Sequence, residues 1–181
     1  MHPAQLAIED FLKQCEFRTQ RRSGPGGQHR NKVETAVFAT HMPTGIVGSS
    51  TRERSQAKNR SIAIDRLRVK IAIEFRSSSS KNSGKSSDGS SGTQAFQPGE
   101  LWKSRSRGKR ITISRNHERY PAVLAEAMDC LTFYDWDDVA AAESLDVTRS
   151  QLLKLISMEP TALDAFNDSR QKLGLPRLQP K

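Results

Sequence analysis

The chain is short of acid, poor in aromatics and nearly free of cysteine. Its two cysteines, Cys15 and Cys130, lie far apart with no Cys-x-x-Cys and no Cys/His cluster. That argues against a structural zinc module, and their apolar, helix-like surroundings predict two buried free thiols. The four histidines, His2, His29, His41 and His117, show no metal spacing, so no metal site is expected. No apolar run approaches the length of a bilayer span. The start, Met1-His2-Pro3-Ala4, lacks the basic and apolar regions of a secretory signal. A soluble protein in a reducing, cytoplasmic setting, with no membrane partner, is the resulting expectation. Serine is plentiful, but none stands in a Gly-x-Ser-x-Gly elbow. Gly24-Pro25-Gly26-Gly27 is not followed by the Gly-Lys-Ser/Thr of a phosphate-binding Walker loop. No cofactor is expected. Hydrophobic residues are 35% of the 181, below the globular norm, so part of the chain is expected to stay unpacked.

What is present is positive charge. Lys and Arg number 29 against 20 Asp and Glu, for a net +9, which points to a polyanionic partner. The charge is uneven. Residues 1–76 hold 14 Lys/Arg against 7 Asp/Glu, residues 77–116 hold 8 against 2, and residues 117–181 hold 7 against 11. The two basic parts and the acidic end are expected to do different work. The densest feature is Arg22-Ser23-Gly24-Pro25-Gly26-Gly27-Gln28-His29-Arg30-Asn31-Lys32. Its glycines let backbone approach a ligand closely. Arg22, Arg30 and Lys32 flank an uncharged tip, as suits a loop entering phosphate-dense surroundings.

The patterning predicts an α+β fold: a small β-sheet packed on one long helix, then a linker and a small all-α C-terminal domain. Residues 4–15 read as an amphipathic helix with Leu6, Ala7, Phe11 and Cys15 near helical spacing. Phe17–Arg21, 35–41 and 46–51 read as strands, the last two joined by a turn at Met42-Pro43-Thr44-Gly45. Ser55 is placed to cap a helix reaching about Phe75, with Ala57, Ile64, Leu67, Ile71 and Phe75 on its inner face. Lys58, Arg66 and Lys70 lie away from that face and are assigned to RNA. Residues 77–99 are Ser/Gly-rich and cannot bury enough apolar area to offset ordering entropy. A basic run, Lys103, Arg105, Arg107, Lys109 and Arg110, follows. Helices are expected from Pro121, from Asp135 or Asp137, from Thr148 and from Pro160. The expected division is 1–76 as a catalytic domain, 77–116 as a flexible, basic linker and 117–181 as a helical domain.

Three segments carry a resemblance. They are Ser23-Gly24-Pro25-Gly26-Gly27-Gln28-His29-Arg30-Asn31-Lys32, then Thr40-His41-Met42-Pro43-Thr44-Gly45-Ile46-Val47, then Glu53-Arg54-Ser55-Gln56-Ala57-Lys58-Asn59-Arg60. In this order and separation they resemble the catalytic domain of class I peptide chain release factors. The resemblance implies that Gly26, Gly27 and Gln28 promote attack of water on the ester of peptidyl-tRNA in the ribosomal peptidyl transferase centre. The Gln28 backbone N–H would stabilise the developing oxyanion and its side chain would position the water. His29 is not needed as a base if the RNA moves the proton. The same resemblance assigns Arg22, Ser23, Gly24, Pro25, His29, Arg30, Asn31, Lys32, Arg54, Lys58 and Arg60 to RNA, and the basic run Lys103, Arg105, Arg107, Lys109 and Arg110 is assigned there by charge. Only about 20 residues precede the loop, too few for a codon-recognition domain, so the chain looks most like the short codon-independent ribosome-rescue peptidyl-tRNA hydrolases. The implied partners are the ribosome, through its large-subunit rRNA, and peptidyl-tRNA, met as a monomer.

Two other readings stand beside this one. A ribosome- or RNA-binding factor without hydrolysis would share every basic feature. A DNA-binding regulator would use residues 139–152, which look like a helix-turn-helix. The net negative charge of that end, with only Arg149 and Lys154 on the second helix, argues against sequence-specific DNA reading.

Overall fold

The structure is a computed structural model that describes residues 2–21, 34–76 and 95–179. It is α+β, and the chain divides into two units: Pro3–Phe75, and a second built from Arg76 onward together with the first two residues.

In the first unit a 3-10 turn at Pro3–Gln5 precedes helix α1 (Ile8–Lys13). The single helix expected over 4–15 is thus broken, because Ala7 is extended, with ψ 147°. Strands β1 (Cys15–Gln20), β2 (Ala36–His41) and β3 (Val47–Ser50) form an antiparallel sheet in the order β1-β2-β3. The turn between β2 and β3 closes through Gly45 N–H donating to His41 O at 2.8 Å. Gly45 takes a φ of +70°, which a side chain disfavours. His41 is buried and stacks on Phe11, with ring centroids 5.3 Å apart. Its Nδ1 meets Thr44 Oγ1 at 2.8 Å and its Nε2 meets Gln14 Oε1 at 3.0 Å. Burial lowers its pKa, so His41 is a neutral packing residue.

Helix α2 (Gln56–Glu74) lies on the sheet. Ser55 caps it, its hydroxyl accepting from Lys58 N–H at 3.4 Å. The two approach so closely that a Cβ on Gly48 would sit 2.5 Å from Ala63 O and Leu67 N. The buried stripe is Asn59, Ala63, Leu67, Ile71 and Ala72, joined by Arg68 and Val69. The face expected from the sequence is rotated: Leu67 and Ile71 are buried, whereas Ala57 is exposed and Ile64 and Phe75 are half-buried. The cations of α2 turn back onto the unit. Arg68 Nη2 donates to Ala4 O at 3.0 Å, Arg66 Nη1 to Ser49 O at 2.9 Å and Lys70 Nζ to Val47 O at 3.4 Å.

The second unit contains α3 (Glu100–Arg105), a hairpin of β4 (Ser106–Arg107) and β5 (Arg110–Ile111), and helices α4 (Tyr120–Phe133), α5 (Asp138–Ser144), α6 (Arg149–Ser157) and α7 (Pro160–Lys172). Helix α4 is buried on all sides from Tyr120 to Leu131. It is the axis of this core, and each fully buried large apolar side chain there stabilises by about 1.5–3 kcal/mol. Asp137 caps α5 by accepting from Val139 and Ala140 N–H, and Thr148 caps α6 by accepting from Gln151 N–H at 3.2 Å. Pro121 and Pro160 open α4 and α7. Within the stretch 77–116, expected as a flexible basic linker, residues 100–111 carry helix and hairpin. Trp102 is the reason: it is buried, and its Nε1–H donates to Leu145 O at 2.8 Å.

Candidate active-site loop and its scaffold

Gly26, Gly27 and Gln28, with Arg22, Ser23, Gly24, Pro25, His29, Arg30, Asn31 and Lys32, lie outside the described residues. What the structure places is the base that carries them. Strands β1 and β2 pair in register up to Gln20↔Ala36, so the chain leaves one strand after Gln20 and returns into its neighbour. The glycine-rich sequence is the connection of an antiparallel hairpin.

That base is pinned by the first turns of α2. Gln56 Nε2 donates to Glu34 O at 2.9 Å. The Glu34 carboxylate accepts from Thr19 Oγ1 at 3.1 Å and faces Arg21 Nε at 3.5 Å. Asn59 is the centre. It is buried completely. Its Nδ2 donates to Thr35 O at 2.7 Å and Glu53 O at 2.8 Å, while its Oδ1 accepts from Ser50 Oγ at 2.9 Å and Glu53 N at 3.0 Å. One amide therefore ties the returning end of the loop to the end of β3 and to the segment before α2, with both its donors and its acceptor used. A buried amide so satisfied fixes position, because leaving any of these groups unpaired is costly.

Asn59, Gln56 and Glu34 were not among the residues assigned from the sequence. The available signal was Asn59 itself, a polar residue four before Ala63 on what proved to be the buried stripe. Of the assigned cations near the base, Arg54 and Lys58 are exposed. Arg60 is exposed too, and its guanidinium lies over the Phe17 ring at 3.9 Å, a pairing worth about 0.5–1 kcal/mol at such sites. In the second unit Lys103 pairs with Glu100 at 3.0 Å. Arg105 is half-buried, and Arg107, Lys109 and Arg110 are exposed on the hairpin.

The thiols fit packing. Cys15 is half-buried, and burial pushes the Cys130 thiol up to about 12. Among the described residues no group of three His, Cys, Asp or Glu is arranged to hold a metal, and no helix is long and apolar enough to cross a membrane.

A three-stranded sheet backed by one helix, whose first turns clamp the base of a glycine-rich hairpin connection, defines a small α+β domain built to present a loop. The particular family is equally plain: the chain belongs to the RF-1 domain family, whose model matches residues 6–116. It is 45% identical over 87 residues to peptide chain release factor 2 of Helicobacter pylori strain G27, covering 46% of this chain and 24% of that protein. It is 44% identical over 77 residues to peptide chain release factor 1 of Xylella fastidiosa strain 9a5c, covering 42% and 19%. With the mitochondrial peptide chain release factor 1-like protein of Rattus norvegicus it shares 41% over 69 residues, covering 38% and 18%. The chain thus spans a quarter or less of the length of these relatives, and residues 117–181 fall outside the family match.

Proposed function

We propose that this protein hydrolyses the ester between nascent peptide and tRNA on the ribosome, with Gly26, Gly27 and Gln28 at the reaction centre, and that it does so without reading a stop codon. The observation that carries the hydrolytic reading is the Gly-Gly-Gln sequence within an RF-1 domain, on a hairpin whose base Asn59 and Gln56 hold. A rigid base matters because a reacting group displaced by about 1 Å loses about 10²-fold in rate. The Gln28 N–H acts as a pre-placed oxyanion donor and its side chain orients the water. Arg22, Arg30, Lys32, Arg54 and Lys58 meet rRNA phosphates. The codon-independent part of the proposal rests on the resemblance to the short ribosome-rescue hydrolases, and the codon comparison below tests it.

Gly27→Ala should reduce single-turnover peptide release by about 10²–10³, the effect of misplacing one oxyanion donor. Unchanged release would leave the non-hydrolytic RNA-binding reading as the better one. Release measured with a stop codon, a sense codon and an empty decoding site should be alike, and a strict stop-codon requirement would refute codon independence.

A further inference from the structure

The hairpin β4–β5 breaks three local rules of stability at once. Arg107 and Arg110 stand directly opposite each other in the ladder, where like charges destabilise. The turn between them, Gly108-Lys109, is left-handed at both positions, with φ of 57° and 60°. Lysine is disfavoured at the second, where Gly, Asn or Asp is usual. No carboxylate pairs with Arg107, Lys109 or Arg110 among the described residues. The hairpin is nevertheless held firmly. Thr148 N–H donates to Lys109 O at 3.2 Å, Thr112 N–H donates to Arg105 O at 2.9 Å, and Gln151 Oε1 accepts from Ile111 N–H at 3.4 Å. The first and third of these bonds come from the cap and first turn of α6. Lys154, exposed and likewise without an ion pair among the described residues, lies one turn beyond Gln151 on the same side of that helix. Locally unfavourable features held in place from outside the hairpin are what a functional surface is expected to show.

We propose that the hairpin and α6 form one phosphate-binding face for double-helical RNA, made by Arg107, Lys109, Arg110 and Lys154. Lys103, paired with Glu100 on α3, stands outside it. The face reads shape rather than sequence. Arg149, Ser150 and Lys154 are exposed on the outer side of α6, and Leu178 and Gln179 line a cleft of about 650 Å³ with them. A DNA major groove would have to displace that segment to admit the helix, as sequence reading requires. Binding along the backbone of an A-form helix needs no such insertion. The choice of RNA over DNA rests on the ribosomal reading above; the face itself does not.

The test uses the full chain and a labelled RNA duplex, with affinity read against KCl concentration. Removing one cation that neutralises a phosphate should flatten the log–log slope by about 0.9. The variant Arg107→Gln/Lys109→Gln/Arg110→Gln should bind at least about tenfold more weakly and flatten the slope by about 2–3. Lys154→Gln should flatten it by about 1, and Lys103→Gln by well under half of that. Near-UV circular dichroism confirms that each variant is folded. An unchanged slope in the triple variant, or an equal weakening by Lys103→Gln, overturns the face. A DNA duplex of the same sequence bound as tightly as RNA overturns the choice of RNA. Peptide release is measured in parallel with Gly27→Ala. Release indifferent to Gly27→Ala sinks the hydrolytic reading and leaves this face standing, whereas an indifferent triple variant sinks the face whatever release shows.

Discussion

The two units solve opposite problems with their buried polar groups. The first, Pro3–Phe75, places an amide at its centre, and the neutral Asn59 binds four backbone and hydroxyl groups that would otherwise let the loop base drift. The second buries charge. Asp138 accepts from Arg170 Nη1 at 2.9 Å and from Arg149, Arg76 meets Asp129 at 3.1 Å, and Arg115 meets Glu159 at 2.8 Å. An amide hub fixes the direction of a chain without a desolvated charge. Ion pairs join helix to helix, and their geometry must be complete to offset desolvation. The loop-bearing unit buries one guanidinium, Arg68, away from the loop, but holds the loop base itself by neutral hydrogen bonds, and the helical unit gets its packing from an apolar axis laced with ion pairs.

Mutations that strike one unit alone sharpen that contrast. Both tryptophans, Trp102 and Trp136, lie in the second unit, so fluorescence reports it while far-ultraviolet circular dichroism reports both. The largest stability effect should come from Asp138→Ala. It strands the buried Arg170 guanidinium with only the Trp136 and Pro176 carbonyls, and removing one partner of a buried pair costs about 3–5 kcal/mol. The fluorescence-detected denaturation midpoint should fall while the first unit's transition stays put; a joint shift would show that the units unfold as one.

Asn59→Ala should come next, at about 2–4 kcal/mol, because Thr35 O, Ser50 Oγ and Glu53 lose buried partners. Its effect should appear in circular dichroism and not in fluorescence. Peptide release at saturating protein should fall further than the fraction unfolded explains. Release that merely tracks the folded fraction would reduce Asn59 to a structural residue.

Glu126→Gln should have the smallest effect, and its sign depends on pH. Burial raises the Glu126 pKa above its ordinary 4.5, with the neighbouring Asp129 charge adding to the rise. The folded state therefore holds the proton more tightly than the unfolded chain. This stabilisation is complete below the ordinary carboxylate range and is lost as pH rises through the folded value. Gln keeps an acceptor for Gly99 N–H and carries no charge. The variant's fluorescence midpoint should exceed the wild type's at pH 7, and the two should converge near pH 4. A variant less stable at pH 7 would mean that the Glu126 charge is needed.

Where one residue type carries one local job, the sequence was legible. Ser55, Asp137, Thr148, Pro121 and Pro160 mark helix starts, Pro43 and Gly45 mark a turn, and the order of strands and helix follows from these punctuators. The orientation of α2 was not legible, because periodicity counts Asn59 as an outward polar residue and Ala57 as an inward apolar one. Only the carbonyls of Thr35 and Glu53, outside the helix, make Asn59 an interior residue. Residues 100–111 were hidden for the same reason. Their five cations read as solvated chain, and the single Trp102 that anchors them finds its pocket at Leu145. The glycine-rich loop stood out in the sequence by composition; the residues that aim it did not.

The edge of the sheet bears on how the protein behaves in a crowd. Strand β3 is an outer strand, and its outward carbonyls at Val47 and Ser49 already receive Lys70 and Arg66 from α2. A foreign strand arriving there meets two cations and two carbonyls already engaged, and edge cations are one way sheets avoid recruiting one another. The helix that fixes the loop thereby guards the β3 edge of its own sheet, and discourages nascent copies emerging side by side from zipping together along β3.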